Sequence, residues 1–364
     1  MGNTGAPRTT SWCSHCGAGL VAPPGGSSSG VRCALCHRVT RIERHRSVGN
    51  AVVLAPPSPP RTLIPVRREL PAGYPVARGK KRAVLVGVSY TGTDYELRGT
   101  VNDVDSMKSL LCGKFGFPSN CILVLTEKRS DDPYMVPTRE NLLLAMRWLV
   151  EDCDAGDSLV FHFSGHGVQK LDTNGDEVDG YNEALCPLDF EDKGKILDDE
   201  INETIVRPLR PGVKLHAIID TCHSGTILDL RYLCRLSRTG YWQWENHTRQ
   251  PHKPKGTSGG LAISISGCKD DQKSADSSGF PESAEIGAMT DSFIKAVQSE
   301  PGTTYGRLLS AMRGTIRDGQ GMGRRLLPGR VGSFVRKMVT SSSVQEPQLC
   351  SSEVFDIYRK PFLL

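Results

Sequence analysis

From residue 83 onwards, short apolar runs alternate with segments of helical spacing, and this alternation limits the possible folds more than any other feature of the chain. The apolar runs are typical of buried strands and lie at Ala83–Val88, Ile122–Thr126, Ser158–Phe163, Leu215–Asp220 and Leu261–Ser266. The helical segments lie at Val101–Cys112, Arg139–Glu151, Asp199–Leu209, Met289–Ser299 and Thr304–Arg317. Strands that alternate with helices predict an α/β fold, a three-layer sandwich in which helices flank a mostly parallel central sheet.

The first 45 residues form a different kind of unit, because they carry two closely spaced cysteine pairs. Cys13-Ser-His-Cys16 and Cys33-Ala-Leu-Cys36 are separated by 16 residues, a spacing found in structural zinc sites. Four thiolates complete a tetrahedron around Zn²⁺, and in so small a segment the metal would supply the folding energy. We therefore expect a four-cysteine zinc finger over residues 1–45; the alternative is four unrelated cysteines.

Residues 46–82 are expected to be a linker that leads into the main body, residues 83–364. The linker holds seven prolines and has little apolar periodicity, which favours extended chain over packing. A polar stretch at about 235–258 interrupts the alternation of strands and helices in the body. We expect this stretch to be an exposed loop between a larger half at about 83–234 and a smaller half at about 259–364.

Charge and cysteine usage narrow the class of protein. Residues 1–82 contain 13 Lys and Arg against two acidic residues, a net charge of +11 within a total of +5, so a basic arm precedes an acidic body. Such an arm suits acidic partners or nucleic acid, but a solvated Arg-rich linker is the commoner explanation. No apolar run approaches the roughly 20 residues that span a bilayer, so we expect no membrane partner. Eight further cysteines are scattered singly, which indicates reduced thiols and a location in the cytoplasm, with the nucleus as a second possibility.

Two segments each place a reactive side chain and glycines just beyond a predicted strand. The first ends in Ser164-Gly-His166-Gly167, and the second contains Asp220-Thr-Cys222-His-Ser-Gly225. Ligands of open α/β sheets bind beyond the carboxyl ends of the strands. A cysteine and a histidine presented there on neighbouring strands are the parts of a thiol nucleophile and its base.

The chemistry of this pair assigns a role to each group. Cys222 attacks as the thiolate, while the His166 imidazole lowers the pKa of the thiol and later protonates the leaving amine. The backbone N–H groups of Gly167 and Cys222 would hold the oxyanion of the tetrahedral intermediate. A single cysteine near a strand end is usually inert and a lone histidine usually structural, but their combination with the glycines favours catalysis.

Two other histidines compete for the role of base. His162 alternates with Phe161 and Phe163 inside a predicted strand, so we expect it to be packed in the core. His223 follows Cys222 directly, and we expect its side chain to point away from the thiol.

The two motifs resemble the His and Cys motifs of metacaspases, the caspase-like peptidases of plants, fungi and protists. The resemblance covers nearly the whole chain: Val31-Arg-Cys-Ala-Leu-Cys36 is similar to the lesion-simulating-disease-type zinc finger of plant type I members, and the proline-rich segment is similar to their prodomain. Gln345-Glu-Pro-Gln348 and Val354-Phe-Asp356 resemble their C-terminus, and the short spacer before Leu261 is typical of type I. The resemblance implies a caspase-like fold and a cysteine endopeptidase linked to programmed cell death or stress responses.

The resemblance also implies cleavage after Arg or Lys, so the expected partners are proteins or peptides with a basic residue before the scissile bond. It places Asp103, Ser164 and Asp220 in the pocket for that residue. A buried cationic side chain needs a carboxylate partner, and Asp220 lies two residues before Cys222. For Asp103 the alternative is an ordinary carboxylate at a helix start, interacting with the helix dipole.

A further implication of the resemblance is activating Ca²⁺, bound by Asn182, Asp198, Asp199 and Asp229. Oxygen donors suit Ca²⁺, but Asn182 stands where relatives carry Asp, so one negative charge is missing. The acidic segment Asp172–Glu183 partly matches an EF-hand loop, but Glu177 occupies the position that requires glycine. We therefore interpret this segment as an acidic surface loop.

Two other functions stay open from the sequence. A regulatory scaffold would bind partner proteins through the zinc finger and the proline-rich arm, with an inactive or secondary caspase-like body. A nucleic-acid-binding finger is less favoured, because the finger lacks interleaved aromatic residues. If the chain is a peptidase for basic residues, we expect self-cleavage in the loop at about 235–258, near one of its basic residues Arg235, Arg238, Arg249, Lys253 and Lys255.

Overall fold

The structure of the protein is a computed structural model that describes residues 10–12, 19–21, 28–32, 39–43, 70–129, 131–171, 180–221, 225–237, 240–247, 256–269, 287–299, 302–325 and 345–364. The chain divides into two compact units, Met1–Arg68 and Glu69–Leu364. None of the described helices has the length and apolar character that crossing a membrane requires.

The first unit contains two antiparallel hairpins. Strand β1 (Thr10–Trp12) pairs with β2 (Gly19–Val21), and β3 (Ser28–Arg32) pairs with β4 (Val39–Glu43). The four predicted zinc ligands, Cys13, Cys16, Cys33 and Cys36, lie outside the described residues. In the sequence, each cysteine pair falls between the two strands of one hairpin, and the zinc finger stays a prediction.

The second unit contains eleven described strands in two sheets. In chain order they are β5 (Lys81–Gly87), β6 (Ile122–Thr126), β7 (Ser158–Ser164), β8 (Gly167–Leu171), β9 (Tyr181–Leu185), β10 (Ile196–Leu197), β11 (Lys214–Asp220), β12 (Tyr232–Leu236), β13 (Trp242–Asn246), β14 (Leu261–Lys269) and β15 (Gln345–Ser351). The main sheet has the order β13-β12-β15-β14-β11-β7-β5-β6, and β8, β9 and β10 form a small antiparallel sheet. From β6 to β14 the pairing is parallel, whereas β15, β12 and β13 continue the sheet antiparallel.

Helices cover both faces of the main sheet. They are α1 (Thr100–Gly113), α2 (Arg139–Val150), α3 (Phe190–Lys193), α4 (Asp198–Ile201) with a π-helical turn over Asn202–Val206, α5 (Ala288–Ser299) and α6 (Tyr305–Arg325). Apolar side chains of α1, α5 and α6 form one core with the sheet, and those of α2 and α4 form a second core on the opposite face. Strands that are covered on both faces consist of continuous apolar runs, which is why they could be predicted from the sequence. The predicted three-layer α/β sandwich is confirmed.

The boundary predicted for the linker at residue 82 is wrong, because residues 70–82 belong to the body. Tyr74 is buried, and Arg82 lies on β5 with only 2% of its surface exposed. The Arg82 guanidinium donates to the carbonyl of Glu151 at 2.6 Å and lies 3.4 Å from the Asp157 carboxylate. These partners compensate the charge, so Arg82, which was expected to end the linker, is part of strand β5.

The loop predicted at about 235–258 is also partly wrong. Residues 242–246 form β13, which pairs antiparallel with β12, and Trp242 is buried against the core. Aromatic and polar residues alternate in Trp242-Gln-Trp244-Glu, the pattern of an edge strand with one buried face. The antiparallel sheet of β8, β9 and β10 was not predicted either, because its strands are short and contain few apolar residues.

Candidate active site

The two predicted catalytic motifs follow neighbouring strands that are paired in register. Asp220, the last residue of β11, lies opposite Ser164, the last residue of β7. Beyond this pair, the N–H of Gly165 donates to the carbonyl of Asp220 at 3.3 Å. In the sequence, His166 and Cys222 each stand two residues past the paired position. Cys222 lies outside the described residues, as does His223, so the contact between thiol and imidazole stays a prediction.

His166 is buried, and its imidazole orientation is set by one main-chain group. Its Nε2 lies 2.9 Å from the carbonyl oxygen of Tyr95. A carbonyl can only accept, so Nε2 carries the hydrogen and the neutral ring has its lone pair on Nδ1. Burial lowers the pKa of His166 below its usual 6.5, and the bond to Tyr95 partly offsets this effect. The imidazole is therefore neutral at pH 7, with Nδ1 as the basic atom.

The Tyr90 hydroxyl bridges two backbone segments, one at His166 and one at Cys186. It accepts a hydrogen bond from the N–H of His166 at 3.0 Å and donates one to the carbonyl of Cys186 at 2.6 Å. The rings of Tyr90 and His166 are 4.9 Å apart. Tyr90 has a φ of 49°, in the left-handed region, and the Glu127 carboxylate stabilises this turn by accepting from the N–H groups on either side, those of Ser89 and Thr91.

The backbone N–H of Gly167, the first predicted oxyanion donor, is not used by the ladder between β8 and β9. The N–H of Cys186 donates to the carbonyl of His166 at 3.0 Å, so this pair occupies a hydrogen-bonded position between β8 and β9. Such positions alternate along an antiparallel ladder. Gly167, the next residue, lies opposite Leu185, and its N–H therefore points away from β9. The second predicted donor, the N–H of Cys222, is outside the described residues.

Asp103, Ser164 and Asp220 come together beside His166, as the resemblance implied. The Ser164 hydroxyl donates to Oδ2 of Asp103 at 2.7 Å. Asp220 is 2% exposed, and its Oδ2 accepts from the N–H of Thr290 at 2.7 Å. Asp103 lies in the first turn of α1, but that helix start has no side-chain cap. The carboxylate of Asp103 is directed to Ser164 instead, which argues against an ordinary helix-start role.

We call Asp103, Ser164 and Asp220 together the acidic recess, and burial makes both of its carboxyl groups weaker acids than they are in water. Burial is the main cause that raises the pKa of Asp103 to about 7; the Ser164 hydrogen bond lowers this pKa, and the charges of Asp220 and Asp291 add to the rise. Burial also raises the pKa of Asp220, against several hydrogen bonds that lower it. None of the ion pairs among the described residues includes either carboxylate. A cationic ligand would therefore meet charges that no described Lys or Arg neutralises.

The predicted calcium ligands lie near the small sheet. Asn182 on β9 is buried, and its Oδ1 has no hydrogen-bond partner among the residues that the structure describes. Asp198 is buried and accepts from the N–H of Glu183 at 2.8 Å, whereas Asp199 is half-buried and Asp229 has a φ of 47°. The oxygen donors suit Ca²⁺. Within the described ranges, however, no three or more His, Cys, Asp and Glu side chains converge tightly enough to hold a metal ion.

Sequence reasoning missed Tyr90, Tyr95 and Glu127, which organise His166 from a different loop. It also missed Glu183, whose carboxylate accepts hydrogen bonds from Thr226 and from Gln169. Tyr90 stands three residues past β5, at the active edge of the sheet, and this position is the only signal in the sequence. The expectation that His162 is packed is confirmed, since it is fully buried.

The candidates for self-cleavage separate into two groups. Arg235 lies on β12, which is paired with β13 on one side and β15 on the other. A peptidase needs an extended, unpaired segment, so Arg235 is a poor site. The other four, Arg238, Arg249, Lys253 and Lys255, lie outside the described residues.

Comparisons with known proteins agree with this geometry. A family model described as "Metacaspase, peptidase C14 domain" matches residues 81–231. Metacaspase-1 of Arabidopsis thaliana is 50% identical over an alignment of 368 residues including gaps, and the alignment covers 99% of this chain and 97% of that protein. Metacaspase-3 of the same plant is 52% identical over 287 residues, covering 79% and 76%. Metacaspase-2 is 49% identical over 310 residues, covering 80% and 74%.

Proposed function

Because the chain belongs to the metacaspase family of cysteine peptidases, we propose that it cleaves peptide bonds after Arg or Lys with Cys222 as nucleophile and His166 as general base and acid. The observation that carries the specificity is the acidic recess of Asp103, Ser164 and Asp220, which has no cationic partner among the described residues and lies beside His166. A guanidinium or ammonium group would pair with these charges and so hold a basic residue directly before the scissile bond.

The catalytic steps follow from the roles proposed for these groups. The Nδ1 atom of His166 takes the proton of the Cys222 thiol, and the thiolate attacks the carbonyl carbon of the substrate. The N–H groups of Gly167 and Cys222 stabilise the oxyanion. His166 then protonates the leaving amine, which leaves a thioester. A water molecule, deprotonated by His166, hydrolyses the thioester and restores the thiol.

The bond between His166 and Tyr95 supports both proton transfers. While Nε2 donates to the Tyr95 carbonyl, the ring cannot rotate to present Nε2 to the thiol, and the imidazolium that forms is stabilised by an acceptor dipole. The carbonyl therefore fixes the tautomer and the orientation, as an acidic side chain does in other catalytic triads.

We also propose calcium stimulation through Asn182, Asp198, Asp199 and Asp229. The support is their oxygen chemistry and the buried, unpartnered Oδ1 of Asn182. Because the described carboxylates do not converge, binding would require these side chains to move together, and no catalytic step is assigned to the ion.

The first unit is proposed to be a zinc finger that, with the proline-rich arm, binds regulatory proteins. Its support is the placement of each cysteine pair between two paired strands. A cytoplasmic or nuclear location is proposed from the free thiols at Cys112, Cys121, Cys153, Cys186 and Cys234. A role in cell death or stress responses rests on the family alone.

A peptide library assay with and without Ca²⁺ tests reaction, specificity and activation together. We expect cleavage after Arg or Lys that is lost in Cys222→Ala and kept in Cys112→Ala, a half-buried thiol on α1. Cleavage after acidic or apolar residues instead would contradict the specificity, and turnover by Cys222→Ala would contradict the assignment of Cys222 as nucleophile.

Mass spectrometry of the wild-type chain and the Cys222→Ala variant, incubated under identical conditions, identifies self-cleavage, which we expect at a residue other than Arg235.

A further inference from the structure

A line of buried polar groups runs from the acidic recess into the core between the sheet and α5. Asp220 lies at the N-terminus of α5, where it accepts from the N–H groups of Gly287, Met289 and Thr290, and the Thr290 side chain adds a hydrogen bond. Behind it, the Thr290 hydroxyl lies 3.1 Å from Nε2 of His162. Thr290 and His162 are both fully buried. No step of the proposed mechanism uses either of them.

The direction of these hydrogen bonds follows from the number of hydrogens available. The Thr290 hydroxyl has one hydrogen, which it donates to the Asp220 carboxylate. It must then accept from His162, so Nε2 of His162 carries a hydrogen. Burial lowers the pKa of His162 to about 3, and the ring acts as a neutral donor. The chain of donors runs from His162 through Thr290 to Asp220.

This chain of donors opposes the cost of burying a carboxylate. A charge without water or a cationic partner is destabilised, and its proton is retained unless hydrogen bonds favour the ionised form. Asp220 has no ion-pair partner among the described residues. Its charge therefore depends on the helix N-terminus and on the Thr290 hydroxyl, which His162 polarises and holds in one rotamer.

We infer that Thr290 and His162 are positioning residues that set the specificity for Arg and Lys by holding Asp220 ionised and oriented in the recess. The inference rests on the proposed specificity. Neither residue is expected to touch the substrate. Their effect is on how strongly the recess attracts a positive charge, so it belongs to substrate binding and not to the attack of Cys222.

The test compares two peptides that differ only before the scissile bond, one with Arg and one with citrulline, its neutral isostere. The ratio of their kcat/KM values measures the contribution of charge. In Thr290→Val, which keeps the shape and removes the hydroxyl, we expect this ratio to fall by about tenfold. KM for the Arg peptide should carry most of the loss, with kcat little changed. Thr290→Ser should restore the ratio.

A matched control lies on the same face of the sheet. Nε2 of His216 on β11 lies 2.6 Å from the hydroxyl of Tyr305 at the start of α6, and both residues are buried. Tyr305→Phe removes a buried bond between a histidine and a hydroxyl without touching the recess. We expect it to lower the melting temperature and leave the ratio unchanged. His162→Leu should act in the same direction as Thr290→Val.

The outcomes separate this inference from the proposed function. If the wild-type protein does not prefer Arg to citrulline, the proposed specificity fails. If it prefers Arg, and folded Thr290→Val keeps the full ratio, the inference is overturned while the proposed specificity stands. An equal fall of the ratio in Tyr305→Phe would also overturn the inference. The loss of specificity would then come from general destabilisation of the core on this face of the sheet.

Discussion

The Ser164 hydroxyl donates to Oδ2 of Asp103 at 2.7 Å and so joins the end of β7 to the first turn of α1 across 61 residues of sequence. The bond orients a half-buried carboxylate toward the recess beside His166. Oriented charge near the reacting atoms is what selection for a cationic substrate requires, and the same charge is costly while the recess is empty.

This cost should be measurable in Asp103→Asn. Because burial raises the pKa of Asp103 from its ordinary 3.8 to about 7, the folded state binds this proton more tightly than the unfolded state. The free energy of unfolding therefore falls as the pH rises from about 4 to 7. The variant lacks this loss, so its melting temperature should exceed that of the wild type by about 2–4 °C at pH 8 and match it at pH 4. Asp105→Asn, at an exposed carboxylate of the same helix, should show no such difference; a similar rise there would contradict the assignment.

The same substitution should reduce activity on Arg and Lys peptides. Removing one partner of a buried charge pair costs about 2–5 kcal/mol, which corresponds to a fall in kcat/KM of about a hundredfold. The loss should be much smaller on a citrulline peptide. Equal losses on both peptides would indicate a structural effect and not an electrostatic one.

The pH dependence of kcat/KM should differ between charged and neutral substrates. For an Arg peptide, activity should rise with pH through about 7, as Asp103 ionises in the free enzyme. For the citrulline peptide, the acidic limb should reflect His166, whose pKa is lowered by burial, and should lie below 6.5. Initial rates between pH 5 and 9 measure both limbs. If the acidic limbs for the two peptides coincide, Asp103 does not contribute to binding of the cationic side chain.

Tyr90→Phe tests the support of the histidine loop. Loss of the hydroxyl leaves the N–H of His166 and the carbonyl of Cys186 without their bridge. We expect kcat to fall by about tenfold or more with KM little changed, because the position of the base matters in the transition state. Tyr74→Phe is the matched control, since Tyr74 is buried and its hydroxyl has no hydrogen-bond partner in the described part of the chain. A similar loss of kcat in both variants would contradict the specific role of Tyr90.

Asn182→Asp tests the proposed calcium site. The substitution adds a carboxylate beside the other oxygen donors, and ligand charge is a main determinant of Ca²⁺ affinity. We expect the Ca²⁺ concentration for half-maximal activity to fall by about tenfold. Asn120→Asp, an exposed change of the same charge, should leave the calcium response unaltered. An unchanged response in both variants would place the calcium effect elsewhere in the chain.

The sequence alone determined the layers of the fold, and it predicted one edge of the sheet for the chemistry. Strands buried on both faces are continuous apolar runs, so β5, β6, β7, β11 and β14 were predicted within a few residues. Glycines and reactive side chains just past two of these runs marked the active edge, because parallel strands all end at the same side of a sheet. The resemblance to metacaspases then supplied the pocket residues.

Tertiary structure decided what depends on contacts between distant segments. The role of a main-chain carbonyl such as that of Tyr95 leaves no pattern in the sequence. A tyrosine whose hydroxyl bridges two backbone groups cannot be distinguished in the sequence from any other tyrosine. Arg82 was assigned to the linker, and only the partners of its guanidinium place it in the body. The contacts of Thr290 with His162 and Asp220 likewise depend on how α5 packs against the sheet. Local patterns encode periodicity and burial, whereas hydrogen bonds of buried polar groups depend on which elements pack together.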